Sequence, residues 1–201
     1  MCRVGVYFYI YYSVMRKLLI LFCLCCTVVV RGQVIDVQRV EGEFNVGLGT
    51  PVGNFHDGKH RIGPDLGLEL RYNVPQSKFD VGLLANLTTS VFDFDSRPGF
   101  DGQWDLTQSN RSVNLMLVGD YNFNQGSRVN PYVGLGLGAS FYDVVEDKVY
   151  PQSGTGFIFR PRVGIELFHH LRIGAFLSVI RTGYTNFGIS IGGVIGGRPG
   201  K

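Results

Sequence analysis

The chain has 201 residues, with 19 basic and 16 acidic side chains and a formal net charge of +3. Hydrophobic residues make up 45% and aromatics 13%, while charged residues are only 17%, below the roughly 25% of a soluble domain. That length limits the chain to one domain of ordinary size, and no run after the leader reaches the ~18 apolar residues of a membrane helix.

The first segment is an export leader. Arg16 and Lys17 precede an apolar run from Leu18 to Val30, and Gly32 then precedes Gln33. This is a positive region, a hydrophobic region and a small residue at a cleavage point. The stretch before Met15 does not fit such a signal, so translation is expected to start at Met15. Residues 1–32 are read as the leader, 33–41 as an N-terminal extension and 42–197 as a β-barrel domain. All four cysteines (Cys2, Cys23, Cys25, Cys26) lie in the leader. The mature chain therefore offers neither a disulfide framework nor a cysteine metal site. Phe22, Leu24 and Cys25 precede the last three, where lipoprotein processing favours a small residue. Removing the leader also removes Arg3, Arg16, Lys17 and Arg31 and no acid. That leaves 15 basic against 16 acidic residues, a net charge of −1, so the basic balance belongs to export and not to nucleic-acid binding.

From Gly42 the chain repeats one theme, aliphatic residues alternating with glycine or polar residues in runs of about ten. Side chains of a strand alternate between two faces. Phe44, Val46 and Leu48 share one face of the first segment. In the second, Leu66, Leu68, Leu70 and Tyr72 oppose Asp65, Gly67, Glu69, Arg71 and Asn73. The third sets Phe79, Val81, Leu83, Ala85 and Leu87 against Asp80, Gly82, Leu84, Asn86 and Thr88. The fourth sets Val113, Leu115, Leu117 and Tyr121 against Ser112, Asn114, Met116 and Asp120. Val133, Leu135, Leu137, Ala139 and Phe141 follow in the fifth, opposite Gly134, Gly136, Gly138 and Ser140. The sixth sets Phe157, Phe159, Val163, Ile165 and Leu167 against Arg160, Arg162, Gly164 and Glu166. The seventh sets Leu171, Ile173, Ala175, Leu177 and Val179 against Arg172, Gly174, Phe176 and Ser178. Phe187, Ile189, Ile191 and Ile195 close the series.

One face of these segments is almost free of charge, and the other carries nearly all of it. A soluble barrel with a ligand cavity needs the reverse. Lipid contact explains the clean face, because a midplane Arg or Lys there costs ~2–4 kcal/mol. Closure removes strand edges that hydrocarbon cannot hydrate. The sequence therefore predicts an all-β, eight-stranded, antiparallel up-and-down transmembrane β-barrel. Links after the even strands are short (Val74–Lys78, Asn124–Asn130, His169–His170). Links after the first three odd strands are long (Gly53–Arg61, Asp93–Arg111, Asp143–Thr155). Short periplasmic turns and longer external loops have this form. Phe44, Tyr72, Phe79, Tyr121 and Phe123 are expected in an aromatic belt at the short-turn end, and Phe141, Phe157, Phe159 and Phe187 at the other.

With this pattern the chain resembles the small outer-membrane β-barrel family of the OmpA-barrel and OmpX type. Segments such as EFNVGLGTPVGNF, together with the signal ending at Gly32-Gln33, are similar to the versions found in Bacteroidota. The resemblance implies a cell outer-membrane location and contact with outer-membrane lipid. The pattern departs at the end of the chain, which is not aromatic, and at Pro161, an outward strand position where the lost donor is expected to mark a bulge.

Eight strands leave an interior just wide enough for side chains. The inward charges are Glu43, Glu69, Asp80, Asp120 and Glu166 against Arg71, Arg160, Arg162 and Arg172. Unpaired buried charges are very costly, so these are expected to pair into a plug, with glycines making room. A gated ion path through the same charges is the alternative. Among the loops, Asp93, Asp95, Asp101, Trp104 and Asp105 form an acidic stretch and are the candidate recognition residues. Their spacing matches no calcium loop, and no metal or cofactor is expected. The run Gly134-Leu-Gly136-Leu-Gly138 lacks the helix and acidic partner of a dinucleotide site. Asn86-Leu-Thr88 and Asn110-Arg-Ser112 match a glycosylation sequon that a bacterial context empties of meaning.

The function expected is a structural or surface-recognition barrel, a monomer without nucleic-acid partners. A membrane component of a secretion or gliding apparatus, similar to PorT-like proteins, is the alternative that would add membrane protein partners. A lipid A-modifying enzyme is the third reading. His56 and His60 lie in the first loop within reach of Asp57 or Asp95, whereas His169 and His170 lie in a turn on the opposite side. No peptidoglycan-binding domain is expected after the eighth strand.

Overall fold

The computed structural model describes residues 37–52, 59–94, 106–146, 149–180 and 185–196. Its strands are β1 (Val40–Val52), β2 (Lys59–Arg61), β3 (Gly63–Asn73), β4 (Phe79–Phe94), β5 (Leu106–Asn122), β6 (Val129–Glu146), β7 (Val149–Leu167), β8 (Leu171–Ile180) and β9 (Thr185–Ile195). Among the described residues no helix is long and apolar enough to cross a membrane.

The two shortest-spaced strands are one stave. Arg61 pairs with Val91 of β4, and Asp65 pairs with Thr88 of β4. Four steps along β2–β3 thus match three along β4. Ile62 is the extra residue, a β-bulge that the hydrophobic pattern did not reveal. Counting β2–β3 once, eight antiparallel staves follow one another in chain order, and β1 pairs with β9 to close the barrel.

The stagger of the barrel can be read from the register. Gly42 pairs with Leu70, Leu70 with Leu83, Leu83 with Leu117 and Leu117 with Leu137. Leu137 then pairs with Phe159, Phe159 with Val179, Val179 with Thr185, and Thr185 with Val52 of β1. One circuit begins at Gly42 and ends at Val52, ten residues further along the same strand. Ten residues at ~3.3 Å against eight spacings of ~4.8 Å tilt the strands by about 40° and give a backbone radius of about 8 Å. That radius leaves room for one layer of large side chains.

Alternation sets the two surfaces. Along β3 every second residue is buried from Gly63 to Asn73. Leu68, Leu83, Leu117 and Ile189 are each more than half exposed on the outside, while Arg71, Asp65 and Asp120 are at most 1% exposed within. At the short-turn end, Tyr121 makes edge-on ring contacts with Phe79 (5.1 Å) and Phe123 (5.0 Å). The β7–β8 turn holds Phe168 and His169 in left-handed backbone conformations, at φ 55° and 64°. Phe168 N–H donates to the Arg128 carbonyl and His169 Nε2 lies 3.0 Å from the Gly126 carbonyl, tying this turn to its neighbour.

Two expectations are corrected. Pro161 marks no bulge: Phe159 pairs with Val179 and Arg162 with Phe176, so both strands advance by three and the register is kept. The lost donor falls between these pairs. The irregularity of this region lies instead between Val144 and Glu146, where β6 shifts against β7. Second, the stretches read as long loops contain strand at their described ends, and the third, Asp143–Thr155, is largely strand. β4 runs to Phe94, β5 starts at Leu106, β6 runs to Glu146 and β7 starts at Val149. Residues such as Ser153, Gly154 and Thr155 keep the β alternation past the membrane-length run, so the ladder continues upward.

Candidate functional site

The alternation brings inward charges of five staves into one small volume near the short-turn end. Arg71 on β3 donates to Glu41 at 2.9 Å and to Glu43 at 3.0 Å, both on the neighbouring β1, and lies 3.7 Å from Glu69. Arg162 on β7 reaches across the lumen and donates to both carboxylate oxygens of Glu69 and, at 2.8 Å, to Asp120. Arg172 on β8 donates to Asp120 at 2.7 Å and to Glu43 at 3.3 Å. Its guanidinium stacks 3.6 Å from the centre of the Tyr132 ring. Taken in order, Arg71, Glu43, Arg172, Asp120, Arg162 and Glu69 form a closed ring of alternating sign. Glu43 and Asp120 each face two arginines and Glu69 faces three, with Arg172 at 3.9 Å, and Glu41 caps Arg71 from outside the ring.

Such a ring answers the desolvation of its members. An isolated buried charge is very costly, whereas shared, bidentate contacts satisfy several donors at once. Glycines make the ring possible. A Cβ at Gly134 would fall on the Asp120 carboxylate, and one at Gly192 on the Glu43 carboxylate.

A second, separate pair lies nearer the other end. Arg160 donates to both oxygens of Asp65, at 3.1 and 2.9 Å, and its guanidinium lies 3.6 Å from the centre of the Phe176 ring. Asp65 also accepts from Asn86 at 2.8 Å and Thr88 at 2.6 Å. Among the described side chains, the buried polar groups above it are neutral, as in Ser90 donating to Asn186 at 2.8 Å. Buried apolar residues separate the two regions. On β4, Leu84 stands between Asp80 and Asn86; on β5, Met116 and Val118 stand between Asn114 and Asp120.

The structure thus distributes the sequence-predicted lumen residues in three groups. Glu43, Glu69, Arg71, Asp120, Arg162 and Arg172 are together in the ring. Arg160 is in the upper pair. Asp80 and Glu166 stand apart near the short-turn mouth, where Asp80 accepts from Asn122 at 2.7 Å and is directly cross-strand from Asp120. Among the described residues no ion pair reaches Asp80 or Glu166. The expected balance of five acids and four bases is corrected to seven and four, because Glu41 and Asp65 also point inward. Asp65 carried a signal, its alternation with Glu69 and Arg71. Glu41 was assigned to the N-terminal extension, but β1 begins at Val40. Among the described residues, no group of three His, Cys, Asp or Glu side chains is placed to hold a metal ion.

The loop candidates fare differently. Asp95, Asp101, Trp104 and Asp105 lie outside the described residues, as do His56 and Asp57. Asp93 lies in β4, its backbone paired with Thr107 on one side and Lys59 on the other, and its side chain is outside the description. His60 Nδ1 lies 3.0 Å from the Pro51 carbonyl, and His170 Nδ1 lies 3.1 Å from the Val194 carbonyl.

No family model matches the chain, and no curated protein sequence matches it. Solved structures do. The neisserial surface protein A barrel is 12% identical, covers 78% of this chain and 96% of its own, and superposes with a TM-score of 0.49. Ail, the attachment invasion locus protein of Yersinia pestis, in complex with sucrose octasulfate, gives 12% identity, 80% and 97% coverage and a TM-score of 0.46. The outer membrane protein OprG of Pseudomonas aeruginosa gives 14%, 82% and 97%, and 0.44. The eight-stranded closed barrel itself is established by the chain's own hydrogen-bonded register, stave by stave.

Proposed function

We propose that this chain is exported by a cleaved signal peptide and spans a bacterial outer membrane, where it serves structure or surface recognition without catalysis or transport. The carrying observation is the inversion of polarity among the described residues: leucine, valine, isoleucine and phenylalanine outside, and three buried arginines and six buried carboxylates inside, with Arg162 and Glu43 beside them in the ring. Only an apolar surround makes that outer surface stable, and only closure lets the backbone survive there. A lumen filled by a closed ring of ion pairs leaves no open aqueous path, which argues against a pore.

Recognition is supported by the uneven height of the wall. β4, β5, β6 and β7 have 16, 17, 18 and 19 residues, while β8, β9 and β1 have 10, 11 and 13. The excess rises at the end opposite the short turns, the external side. A rigid sheet standing above the bilayer is a platform on which loops can meet partners.

Membrane fractionation combined with a gel run with and without boiling tests the reading. The protein is expected in the outer-membrane fraction and to migrate differently when boiled. A soluble protein, or identical migration, would overturn the barrel in a membrane. Large, stable conductance in a planar bilayer would overturn the plug.

A further inference from the structure

The outer wall carries a feature that general lipid contact does not require. On the outside of β3, β4 and β5 three cross-strand rows stack upward. The lowest is Leu68–Ala85–Leu115, the next Leu66–Leu87–Val113, and the highest, Thr89–Arg111 with Asp143 beside it on β6. Ala85 is small between two leucines that are 62% and 52% exposed. A trough of about 420 Å3 in these lower rows is lined by outward residues, Leu68, Ala85 and Leu115 among them, and its lining also includes Glu43, Glu69, Leu84 and Met116. A second groove of about 650 Å3 begins at Leu66, Leu87 and Val113 and ends at Thr89, Arg111 and Asp143. The rows that line them are two residues apart on the same strands, so the two grooves follow one another along a track on this wall.

The lower rows are apolar, and the upper groove carries one cation, Arg111, beside one carboxylate, Asp143. Arg111 is exposed and faces outward at the height where the charge-free band ends, and Thr89 adds a hydroxyl beside it. A guanidinium with a neighbouring hydroxyl at the end of an acyl-wide trough fits one kind of occupant. Resting on the membrane placement proposed above, we infer that this face binds a phosphate-bearing lipid of the external leaflet, its phosphate on Arg111 and Thr89 and one acyl chain down the track over Ala85. Arginine matches phosphate by paired, charge-assisted hydrogen bonds. Asp143, directly cross-strand from Arg111 and lining the same groove, competes with phosphate for the guanidinium.

Native mass spectrometry of the full chain in a neutral detergent tests this, with diphosphorylated lipid A as probe and the dephosphorylated lipid as control. Wild-type protein is expected to bind the phosphorylated lipid about tenfold more tightly than the control, and Arg111→Gln to lose about that factor, the size of one charge-assisted contact. Ala85→Phe, which fills the trough, is expected to weaken both lipids. Asp143→Asn is expected to bind as tightly as wild type or more so. Inorganic phosphate in excess should not displace the lipid; displacement would indicate a bare ion site and overturn the lipid assignment. Equal binding of the two lipids, or an Arg111→Gln protein that binds like wild type, would also overturn it. Each variant is first run boiled and unboiled. A wild-type protein without a heat-dependent shift refutes the membrane barrel itself, whereas a shifting Arg111→Gln protein with unchanged binding refutes only the lipid site.

Discussion

The two ends of the lumen solve the same problem differently. Near the short turns, charge is answered by charge in a ring whose members come from β1, β3, β5, β7 and β8. Toward the external rim, among the described residues, one Asp65–Arg160 pair is embedded in amides and hydroxyls; buried atoms without a partner there occur at both ends, at Asn110 Oδ1, Asn114 Oδ1, Ser140 Oγ and Ser178 Oγ above and at Arg71 Nε, Arg172 Nε and Asp80 Oδ1 below. The ring ties distant staves together, since Arg162 and Glu69 are separated by 93 positions in sequence and Arg162 and Asp120 by 42. The upper region ties fewer staves by charge. The lower half should therefore be the stiffer clamp on barrel closure, and the upper half the more tolerant of change.

Replacing a shared member of the ring should break this comparison most severely. Arg162→Met leaves Glu69 and Asp120 with one arginine fewer and is expected to lower stability by ~3–5 kcal/mol, the usual penalty for breaking a buried charge pair. Urea unfolding in detergent, followed by the boiled-against-unboiled gel shift, reads that loss. A loss below that of the upper-pair variant would show that the ring is not the stronger clamp.

The upper pair gives the intermediate case. Arg160→Met removes the guanidinium from the face of Phe176 and leaves Asp65 still accepting from Asn86 and Thr88. A loss of ~1.5–3 kcal/mol is expected in the same titration, in the range of hydrogen bonds to a charged group. The smallest effect should come from Ser178→Ala, which removes a buried hydroxyl with no protein partner. It is expected within ~0.5 kcal/mol of wild type. A larger loss would mean that this hydroxyl is satisfied by water in a structured upper network and would narrow the difference between the two ends.

Much of this was legible from local pattern. The period-two alternation from Phe44 to Ile195 placed the outer leucines and the inner arginines on opposite surfaces, because each side chain's direction follows from its neighbours along the strand. Ile62 was not legible, since a bulge is a mismatch between two strands and neither strand alone records it. The continuation of β6 and β7 beyond the apolar run was hidden for a related reason. Beyond the apolar band the outward face is polar as well, so residues such as Asp143 and Ser153 appear in strands that read as loops. Glu41 was missed because one glutamate before the first apolar alternation carries no periodic signal of its own.

The amino-acid order by itself determined that strands form, that they offer one clean face and one charged face, and that the charged face must turn inward in an apolar surround. Those outcomes depend on nearest neighbours and on solvent. The partners of each charge were decided only by closure. The ten-residue stagger raises each stave against the last, so that Arg162 meets Glu69 across the lumen while Arg160, two residues away on the same face, meets Asp65 instead. Stagger is a property of the whole circuit of strands, and no single segment of sequence contains it.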